Sequence, residues 1–304
     1  MTESMINSTL TSSQALFIIQ NQFPKLKAET ISLFSAGWDN FAYLINNCYV
    51  FRFPRRPDAI SLLEHELYIL PKIASLLPCA VPVPEWIGQP TDKYPWLFVG
   101  YRLLKGNTIC QITLSDDQRT ALAKPLAQFL SSLHTLEIKK EYKENIPYGT
   151  ERKLDIVARV PKFKEQLEEI KALGLFKDIH PLNTLIDSAS AVRQPRTTSL
   201  VHGDLYIRHL LVEERNTLTG IIDWGDVHIG DPAVDIAIAH SFLPPQAHEI
   251  FKQAYGTIDE DTWRLARLRA LIHNAVLVLY GHKSGPSIAQ EGLRALKYIA
   301  EQVS

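Results

Sequence analysis

The sequence predicts an α+β protein in which an antiparallel sheet of five strands comes first and helices follow. Short apolar runs separated by turn residues fill roughly the first hundred positions, a pattern typical of paired strands. Most later segments repeat their apolar residues with the period of a helix. At 304 residues, with 46% hydrophobic and 21% charged residues, the chain is long enough for a substantial core, as one large domain or two lobes.

The N-terminal elements follow from periodicity and turn chemistry. A short helix over residues 11–23 precedes three strands, and Asn46-Asn47 forms a hairpin turn because asparagine tolerates positive φ. One main helix follows and should end or kink just before Pro71. Two more strands complete the sheet, the first of them at an edge because it contains prolines. The strands are predicted at 31–34, 41–45, 48–53, 81–87 and 96–104, and the main helix at 58–77.

The rest of the chain is predicted to be mostly helical. Ser115 caps the first long helix, residues 139–151 form a polar loop, and short apolar runs at 200–201, 210–212 and 218–222 are predicted as strands. The predicted helices are 116–134, 156–173, 181–191, 236–242, 246–255, 262–280 and 288–302.

Acidic residues at the ends of these short strands carry the chemical signal. A carboxylate beside glycine at a strand end is typically placed for chemistry rather than packing. Phosphoryl transfer needs one carboxylate that accepts a hydroxyl proton and another that holds magnesium against the phosphates. The ordered parts are His202-Gly203-Asp204, then His209 five positions after Asp204, then Asp223-Trp224-Gly225, and finally Gly230-Asp231-Pro232 through Asp235.

This order resembles the small-molecule kinases of the aminoglycoside phosphotransferase family, which share the protein-kinase-like fold. The resemblance is nearest to the aminoglycoside 2''-phosphotransferases and macrolide phosphotransferases, which also carry His where most relatives carry Asn. It implies a bilobal molecule, with a nucleotide-binding N-lobe over residues 1–104 and a helical C-lobe over 105–304 that holds the catalytic loop and the acceptor site. It also implies Asp204 as the catalytic residue, and Asp223 and His209 as ligands of Mg2+.

The same resemblance implies the nucleotide contacts. Arg52 takes the place of the phosphate-binding lysine, Glu66 is its expected partner and Glu64 the rival. The first hairpin covers the phosphates with backbone amides, and the segment after the fifth strand binds the purine edge. The expected nucleotide-binding residues are Ser35, Ala36, Gly37, Trp38, Arg52, Glu66, Leu103 and Leu104.

Other residues near the motif are expected to have structural roles. His202 shapes the catalytic loop, Asp235 braces it, and Asp226 and Asp231 cap turns. His134 is expected to pack in the core. Arg208 is either a phosphate contact or a surface charge, and the role of Tyr206 stays open.

The expected reaction transfers the γ-phosphoryl group of ATP or GTP to a hydroxyl of a small molecule. The leading acceptor is an antibiotic of aminoglycoside or macrolide type, and the apolar stretch 236–245 predicts a wall suited to a less charged alcohol. One alternative is a housekeeping metabolite kinase of the same fold. Further alternatives are a metal-dependent hydrolase that uses His202, Asp204, His209 and Asp223, and a nucleotide-binding module without catalysis.

Composition bears on compartment and partners. A formal net charge of −1 gives no electrostatic reason to expect nucleic acid or a membrane as a partner. Cys48, Cys79 and Cys110 are widely separated, which predicts buried apolar side chains in a reducing compartment rather than disulfides. No secretory signal or membrane span is visible. We therefore expect a cytoplasmic monomer.

Overall fold

The computed structural model describes residues 10–149, 152–213 and 216–303, and the chain divides into two compact units. The first unit comprises the residues up to Ser75 together with Ala80–Leu104 and Asp223–Gly225. The second comprises Leu76–Cys79, Lys105–Ile222 and the residues from Asp226 onward. The Asp-Trp-Gly triplet therefore belongs to the first unit although it lies far along the chain.

The first unit is a five-stranded antiparallel sheet with one main helix, as the sequence predicts. The strands run in the order β1-β2-β3-β5-β4, so the proline-flanked strand β4 lies at an edge. The elements are α1 (Ser12–Gln22), β1 (Ile31–Ala36), β2 (Asn40–Ile45), β3 (Tyr49–Pro54), α2 (Asp58–Ile73), β4 (Trp86–Gly88) and β5 (Phe98–Arg102).

Local chemistry accounts for these elements. Thr11 and Gln14 form a reciprocal capping box at the start of α1. Asn46 and Asn47 both adopt positive φ, 51° and 53°, which confirms the predicted hairpin turn between β2 and β3. The inner face of the sheet is aromatic, and the rings of Phe53 and Phe98 stack with centroids 4.4 Å apart. Aromatic packing of this kind fixes the register of the sheet.

Two predictions for this unit are wrong in their bounds. Helix α2 continues through Pro71 to Ile73, because an exposed proline in the last turn removes only one backbone donor and the Ala74 amide still bonds to Leu70. The predicted strand 81–87 is reduced to β4, since its prolines cannot donate to the ladder.

The second unit is mainly helical. Its described residues form eight α-helices and two small sheets. One sheet has the strand order β6-β8-β9, and the other pairs β10 with β7. The helices are α3 (Asp116–His134), α4 (Lys140–Asn145), α5 (Ile156–Ala172), α6 (His180–Asp187), α7 (Ala233–Phe242), α8 (His248–Tyr255), α9 (Glu260–Ser284) and α10 (Pro286–Glu301). The strands are β6 (Asn107–Thr108), β7 (Ser199–Val201), β8 (Leu210–Glu213), β9 (Thr217–Ile221) and β10 (His228–Gly230).

Three expectations for this unit are corrected. Helix α4 lies inside the predicted loop 139–151, of which Thr150 and Glu151 fall outside the described residues. Strands β6 and β10 were not predicted, because two or three residues are too few to show a period. All ten residues of α7 are buried, so this segment is a core helix and not the predicted apolar wall of an acceptor site.

The cysteines differ from the prediction as well. Cys48 is exposed, and Cys79 and Cys110 are only partly buried, so they are not core residues; all three are free thiols. Among the helices of the described residues, none combines the length and the apolar character needed to cross a membrane.

Candidate functional site

In the first unit, a buried arginine joins two carboxylates. The Arg52 Nη1 group donates to both carboxylate oxygens of Glu66, at 2.9 and 2.7 Å. Its Nη2 group donates to Asp223 Oδ1 at 3.3 Å. Arg52 is 8% exposed and Glu66 1%, whereas Glu64 lies on the exposed face of α2. The expected partner of Arg52 is therefore Glu66, and the rival is not placed to compete.

The electrostatics of this cluster keep the arginine charged. Burial alone would lower the pKa of Arg52, but the Glu66 and Asp223 carboxylates raise the pKa above its ordinary value. Burial raises the pKa of the neighbouring Tyr101 hydroxyl to about 12, so this phenol is neutral at physiological pH. The cluster is one fixed cation held by two acids.

Asp223 has an unusual backbone conformation. Its φ is +66°, in the left-handed region that costs an L-residue about 1–2 kcal/mol. Its side chain is 51% exposed although Arg52 contacts it. A Cβ at Gly225 would lie 3.3 Å from Leu62 Cβ and 3.4 Å from Glu66 Oε1, so the triplet packs closely against α2. Strained residues of this kind cluster at functional sites.

The first hairpin turn is shorter than predicted. Ser35 and Ala36 belong to β1, where they pair with Ala42 and Phe41, so the turn itself consists of residues 37–39. The Gly37 amide donates to the Asn40 carbonyl at 2.9 Å, and Trp38 at the tip is 81% exposed.

Two arginines that directly follow β3 hold this turn. Arg55 Nη1 donates to the Gly37 carbonyl at 2.5 Å, and Arg56 Nε donates to Asp39 Oδ1 at 2.6 Å. The Arg56 guanidinium also lies 5.8 Å from the centre of the Trp38 ring. Their spacing after β3 carries no motif, so only the folded hairpin reveals this role.

The predicted purine-binding segment directly follows β5. The Leu103 amide donates to the Cys48 carbonyl at 2.8 Å, which continues the pairing of β5 with β3. Leu103 is 36% exposed, and Leu104 is the last residue of this stretch of the first unit.

In the second unit, His202 determines the shape of the loop 202–209, which the motif order predicts to be the catalytic loop. Its Nδ1 accepts the amide proton of Asp204 at 3.3 Å, which leaves Nε2 to donate to the Ile222 carbonyl at 3.0 Å. Only the neutral ring satisfies both bonds. Burial lowers the pKa of His202, consistent with this tautomer. The expected structural role of His202 matches its contacts.

The Asp235 carboxylate binds the backbone of the same loop. Its carboxylate accepts the His202 amide at 2.7 Å and the Gly203 amide at 2.9 Å. His134 Nε2 lies 3.1 Å from Asp235 Oδ2, and the Tyr255 hydroxyl lies 2.8 Å from His134 Nδ1. Burial alone would raise the pKa of Asp235, but these donors lower it overall. Asp235 is therefore an ionised brace, and His134 is a core residue that positions it.

Asp204 is paired with a lysine that the sequence did not single out. Lys153 Nζ lies 2.9 Å from Asp204 Oδ1, donates to the Gly203 carbonyl at 3.0 Å and lies 3.2 Å from Asp226 Oδ1. Lys153 precedes Asp204 by 51 positions in a polar stretch without a motif. Burial alone would raise the pKa of Asp204, but Lys153, followed by His209 and His273, lowers it well below its usual range.

His209 packs against the same loop. Its Nδ1 donates to the Asp204 carbonyl at 2.8 Å. The ring of Tyr206 lies 4.4 Å away, centroid to centroid. Arg208 is exposed.

Asp231 and Asp226 do more than cap turns. Asp231 accepts the Ala233 amide at the start of α7, and it also forms an ion pair with Arg193 at 2.6 Å. Asp226 shares Lys153 with Asp204. Both aspartates are engaged by cations of their own unit.

The geometry does not support the hydrolase alternative. Within the ranges that the structure describes, no group of three or more His, Cys, Asp or Glu side chains is arranged to hold a metal ion by itself. Both nitrogens of the His202 ring are engaged in loop hydrogen bonds, so it is not a metal ligand.

Comparison with known proteins identifies the fold and the family. Residues 30–271 match the family described as the phosphotransferase enzyme family, APH. The GDP and kanamycin complex of APH(2")-IIia is similar to this chain with a TM-score of 0.67 and 24% identity, over 97% of this chain and 99% of that chain. The apoenzyme of macrolide 2'-phosphotransferase MphH from Brachybacterium faecium gives a TM-score of 0.59 and 21% identity, over 94% and 97%. The uncharacterized protein YcbJ of Bacillus subtilis (strain 168) is 24% identical over 229 residues, 69% of each chain.

These similarities confirm the protein-kinase-like fold that the motif order implied. The family match begins just before β1 and ends within α9, so it includes the Arg52, Asp204 and Asp223 segments. It spans well over half of the chain. The chain belongs to the phosphotransferase enzyme family.

Proposed function

We propose that this protein is a small-molecule kinase that transfers the γ-phosphoryl group of ATP or GTP to an alcohol. The observation that carries the proposal is the buried Arg52, which joins Glu66 and Asp223. These contacts bring together, within one unit, the cation proposed to bind phosphate and the carboxylate proposed to bind the metal. A transfer that proceeds through a loose transition state depends mainly on such positioning and charge neutralisation.

The nucleotide contacts are assigned to the first unit. Arg52 binds the phosphates, and Glu66 holds its guanidinium in place. The hairpin around Gly37 covers the phosphates, and the segment after β5 contacts the base. The proposed contacts are Ser35, Ala36, Gly37, Trp38, Arg52, Glu66, Leu103 and Leu104.

Magnesium is the proposed metal, with Asp223 as its main ligand. A hard cation prefers anionic oxygen, and the Asp223 carboxylate is half exposed. His209 is the second proposed ligand, although an imidazole nitrogen suits magnesium less well than oxygen. Bound magnesium would neutralise charge on the phosphates.

Asp204 is proposed to accept a hydrogen bond from the acceptor hydroxyl and to take its proton. Its depressed pKa keeps the carboxylate ionised at neutral pH, so it is available as an acceptor but is a weak base. The bonds from His202 and Asp235 to the loop hold its position.

Two classes of acceptor are proposed. Antibiotics are supported by two similar structures, one with kanamycin in its complex and one that is a macrolide phosphotransferase. A metabolite alcohol is favoured by the positive charge around Asp204. Lys153 forms an ion pair with Asp204, and a second cation, Arg269, is buried nearby. A polycationic acceptor would meet repulsion there.

The test is transfer of labelled γ-phosphate in a single turnover with kanamycin, a macrolide and a panel of sugar alcohols and hydroxy acids. We expect transfer to at least one acceptor, with Asp204→Asn reducing the rate by about 10²–10⁴-fold and leaving nucleotide affinity nearly unchanged. The control is Asp117→Asn, an exposed aspartate at the start of α3. An Asp204→Asn variant with near-normal turnover would remove the proposed base, and nucleotide binding without any transfer would support the non-catalytic alternative.

A further inference from the structure

Helix α9 contains a buried arginine that has no counter-ion in direct contact. Arg269 is 6% exposed, and its Nε group is buried and bonds to nothing among the described residues. No hydrogen bond or ion pair from any described side chain reaches the rest of its guanidinium. A buried charge without a partner is costly, so such a group is retained only where something compensates for it.

His273 lies one helical turn further along the same face of α9. Its Nε2 atom is also buried and has no hydrogen-bond partner in the described part of the chain. The His273 ring contacts Tyr206 at 5.4 Å, Tyr206 contacts His209 at 4.4 Å, and His209 bonds to the Asp204 carbonyl. This face of α9 is therefore directed at the catalytic loop.

The three carboxylates that interact with Arg269 at long range are each in direct contact with other groups. Asp204 and Asp226 both pair with Lys153. Asp235 accepts the loop amides and the contact from His134. Each of these three carboxylates acts on Arg269 only at longer range, and the nearby Arg159 opposes them.

The charge states of the two groups complete the description. Burial lowers the pKa of Arg269 to about 10, so the guanidinium is still protonated at neutral pH. Burial lowers the pKa of His273 to about 3, so its ring is neutral there and able to donate or accept one hydrogen bond. The pair offers one net positive charge and one polar ring atom.

We propose that the acceptor alcohol carries a carboxylate, and that Arg269 binds this group with His273 as a second contact. This inference rests on the proposed kinase function. A single buried guanidinium matches a singly charged planar anion, which it can bind in a bidentate manner. A polycationic acceptor would leave the charge of Arg269 uncompensated and add repulsion.

The test compares alcohols that share a carbon skeleton and differ in one terminal group. Gluconate, sorbitol and glucamine form one series, and glycerate, glycerol and 3-amino-1,2-propanediol form another. Binding is measured by calorimetry in the presence of magnesium and ADP, and phosphoryl transfer is measured with labelled ATP and GTP. The proteins are the wild type, Arg269→Gln and Arg267→Gln. Arg267 lies two positions away and so on the other side of α9, and its Nε is likewise buried without a partner among the described residues, which makes it the control.

In the wild type and in Arg267→Gln, the carboxylate member of at least one series should bind at least about tenfold more tightly than its neutral and amino counterparts. Arg269→Gln should lose this preference. Without any acceptor, Arg269→Gln should melt at the same temperature as the wild type or higher, because the variant no longer buries an unpaired charge. An arginine with a merely structural role would instead lower the melting temperature when replaced.

The outcomes separate this inference from the proposed function. Transfer to sorbitol or kanamycin, with no preference for a carboxylate in either series, would overturn the inference and leave the kinase intact. Carboxylate binding that depends on Arg269, without transfer from any nucleotide, would support the anion site and overturn the kinase. An unchanged preference in Arg269→Gln would also overturn the inference.

Discussion

At the scale of single residues, Arg52 joins two carboxylates through the two terminal nitrogens of its guanidinium. Its planar fork reaches Glu66 with one terminal nitrogen and Asp223 with the other. A lysine offers a single ammonium nitrogen, so it would have to contact both carboxylates from one point. The arginine instead uses a separate nitrogen for each carboxylate.

The variant Arg52→Gln should lower the free energy of unfolding by about 3–5 kcal/mol, because the buried Glu66 carboxylate would lose the guanidinium that pairs with it. The double variant Arg52→Gln/Glu66→Gln should recover most of that loss, since the uncompensated charge is gone. Urea unfolding measures stability, and calorimetry with ADP measures binding. Nucleotide affinity should be weak in both variants, and its recovery in the double variant would contradict phosphate binding by Arg52.

Lys153 sets the protonation of Asp204. The pKa of Asp204 is lowered in the folded protein, so the wild-type carboxylate stays ionised until the pH falls below its ordinary value of 3.8. In Lys153→Met, burial is no longer offset by the ammonium, and the pKa should rise. The acid limb of the pH profile of kcat/KM should therefore move to higher pH, measured between about pH 4 and 8. Lys162→Met, which removes an exposed lysine, is the control, and an unmoved acid limb would exclude this coupling.

At the scale of elements, the conformation of the loop 202–209 depends on backbone geometry as much as on side-chain contacts. Gly203 adopts a φ of +83°, and a Cβ added there would lie 2.2 Å from the Asp226 carbonyl oxygen. The loop is also held by the Asp235 carboxylate and by the pairing of β7 with β10. Only glycine allows this close approach.

The variant Gly203→Ala should be much more harmful than Gly174→Ala. Both glycines have positive φ, but a Cβ at Gly174 would meet nothing within 4 Å. Gly174→Ala should cost about 1 kcal/mol of unfolding free energy, and Gly203→Ala about 2–5 kcal/mol, since the latter adds a backbone clash to the strain. Thermal unfolding measures the difference in stability between the two variants. Equal losses of unfolding free energy would show that a Cβ at position 203 does not clash with the Asp226 carbonyl oxygen.

At the scale of the whole molecule, buried histidines should govern acid stability. His240 and His248 are buried in the second unit, and burial lowers the pKa of both, that of His248 to about 4. The unfolded chain binds protons near pH 6.5, before the folded protein does. Stability is therefore full above about pH 6.5 and falls as the pH drops toward 4, by about 1.4 kcal/mol per unit of pKa difference.

Replacing His248 with glutamine should make the free energy of unfolding fall less steeply as the pH drops. The glutamine side chain can still donate to the Ala239 carbonyl, but it does not titrate. The measurement is the midpoint of urea unfolding at a series of pH values between about 7 and 4. His282→Gln removes an exposed histidine and should leave the slope unchanged. An unchanged slope in His248→Gln would assign the acid sensitivity to other groups.

Prediction from the sequence was most successful where the signal is local. Helix α3 begins after Ser115 and ends at His134 as expected, because a capping box and a clear period define it. The hairpin at Asn46-Asn47 and the Arg52–Glu66 pair were also predicted. The prediction failed at Pro71 and at α4, where packing outweighs local preference, and at α7, where a fully buried helix looked like an exposed apolar surface.

The sequence by itself determined the family and the order of the chemical groups, since short motifs in a fixed order suffice to identify them. Only the tertiary structure decided that Lys153 pairs with Asp204 and that Arg55 and Arg56 hold the first turn. It also decided that Arg269 is buried with no direct counter-ion among the described residues. The physical reason is distance along the chain. Residues that are far apart in the sequence but in contact in the fold leave no periodic or spaced pattern. Their ion pairs can therefore be assigned only from the folded positions.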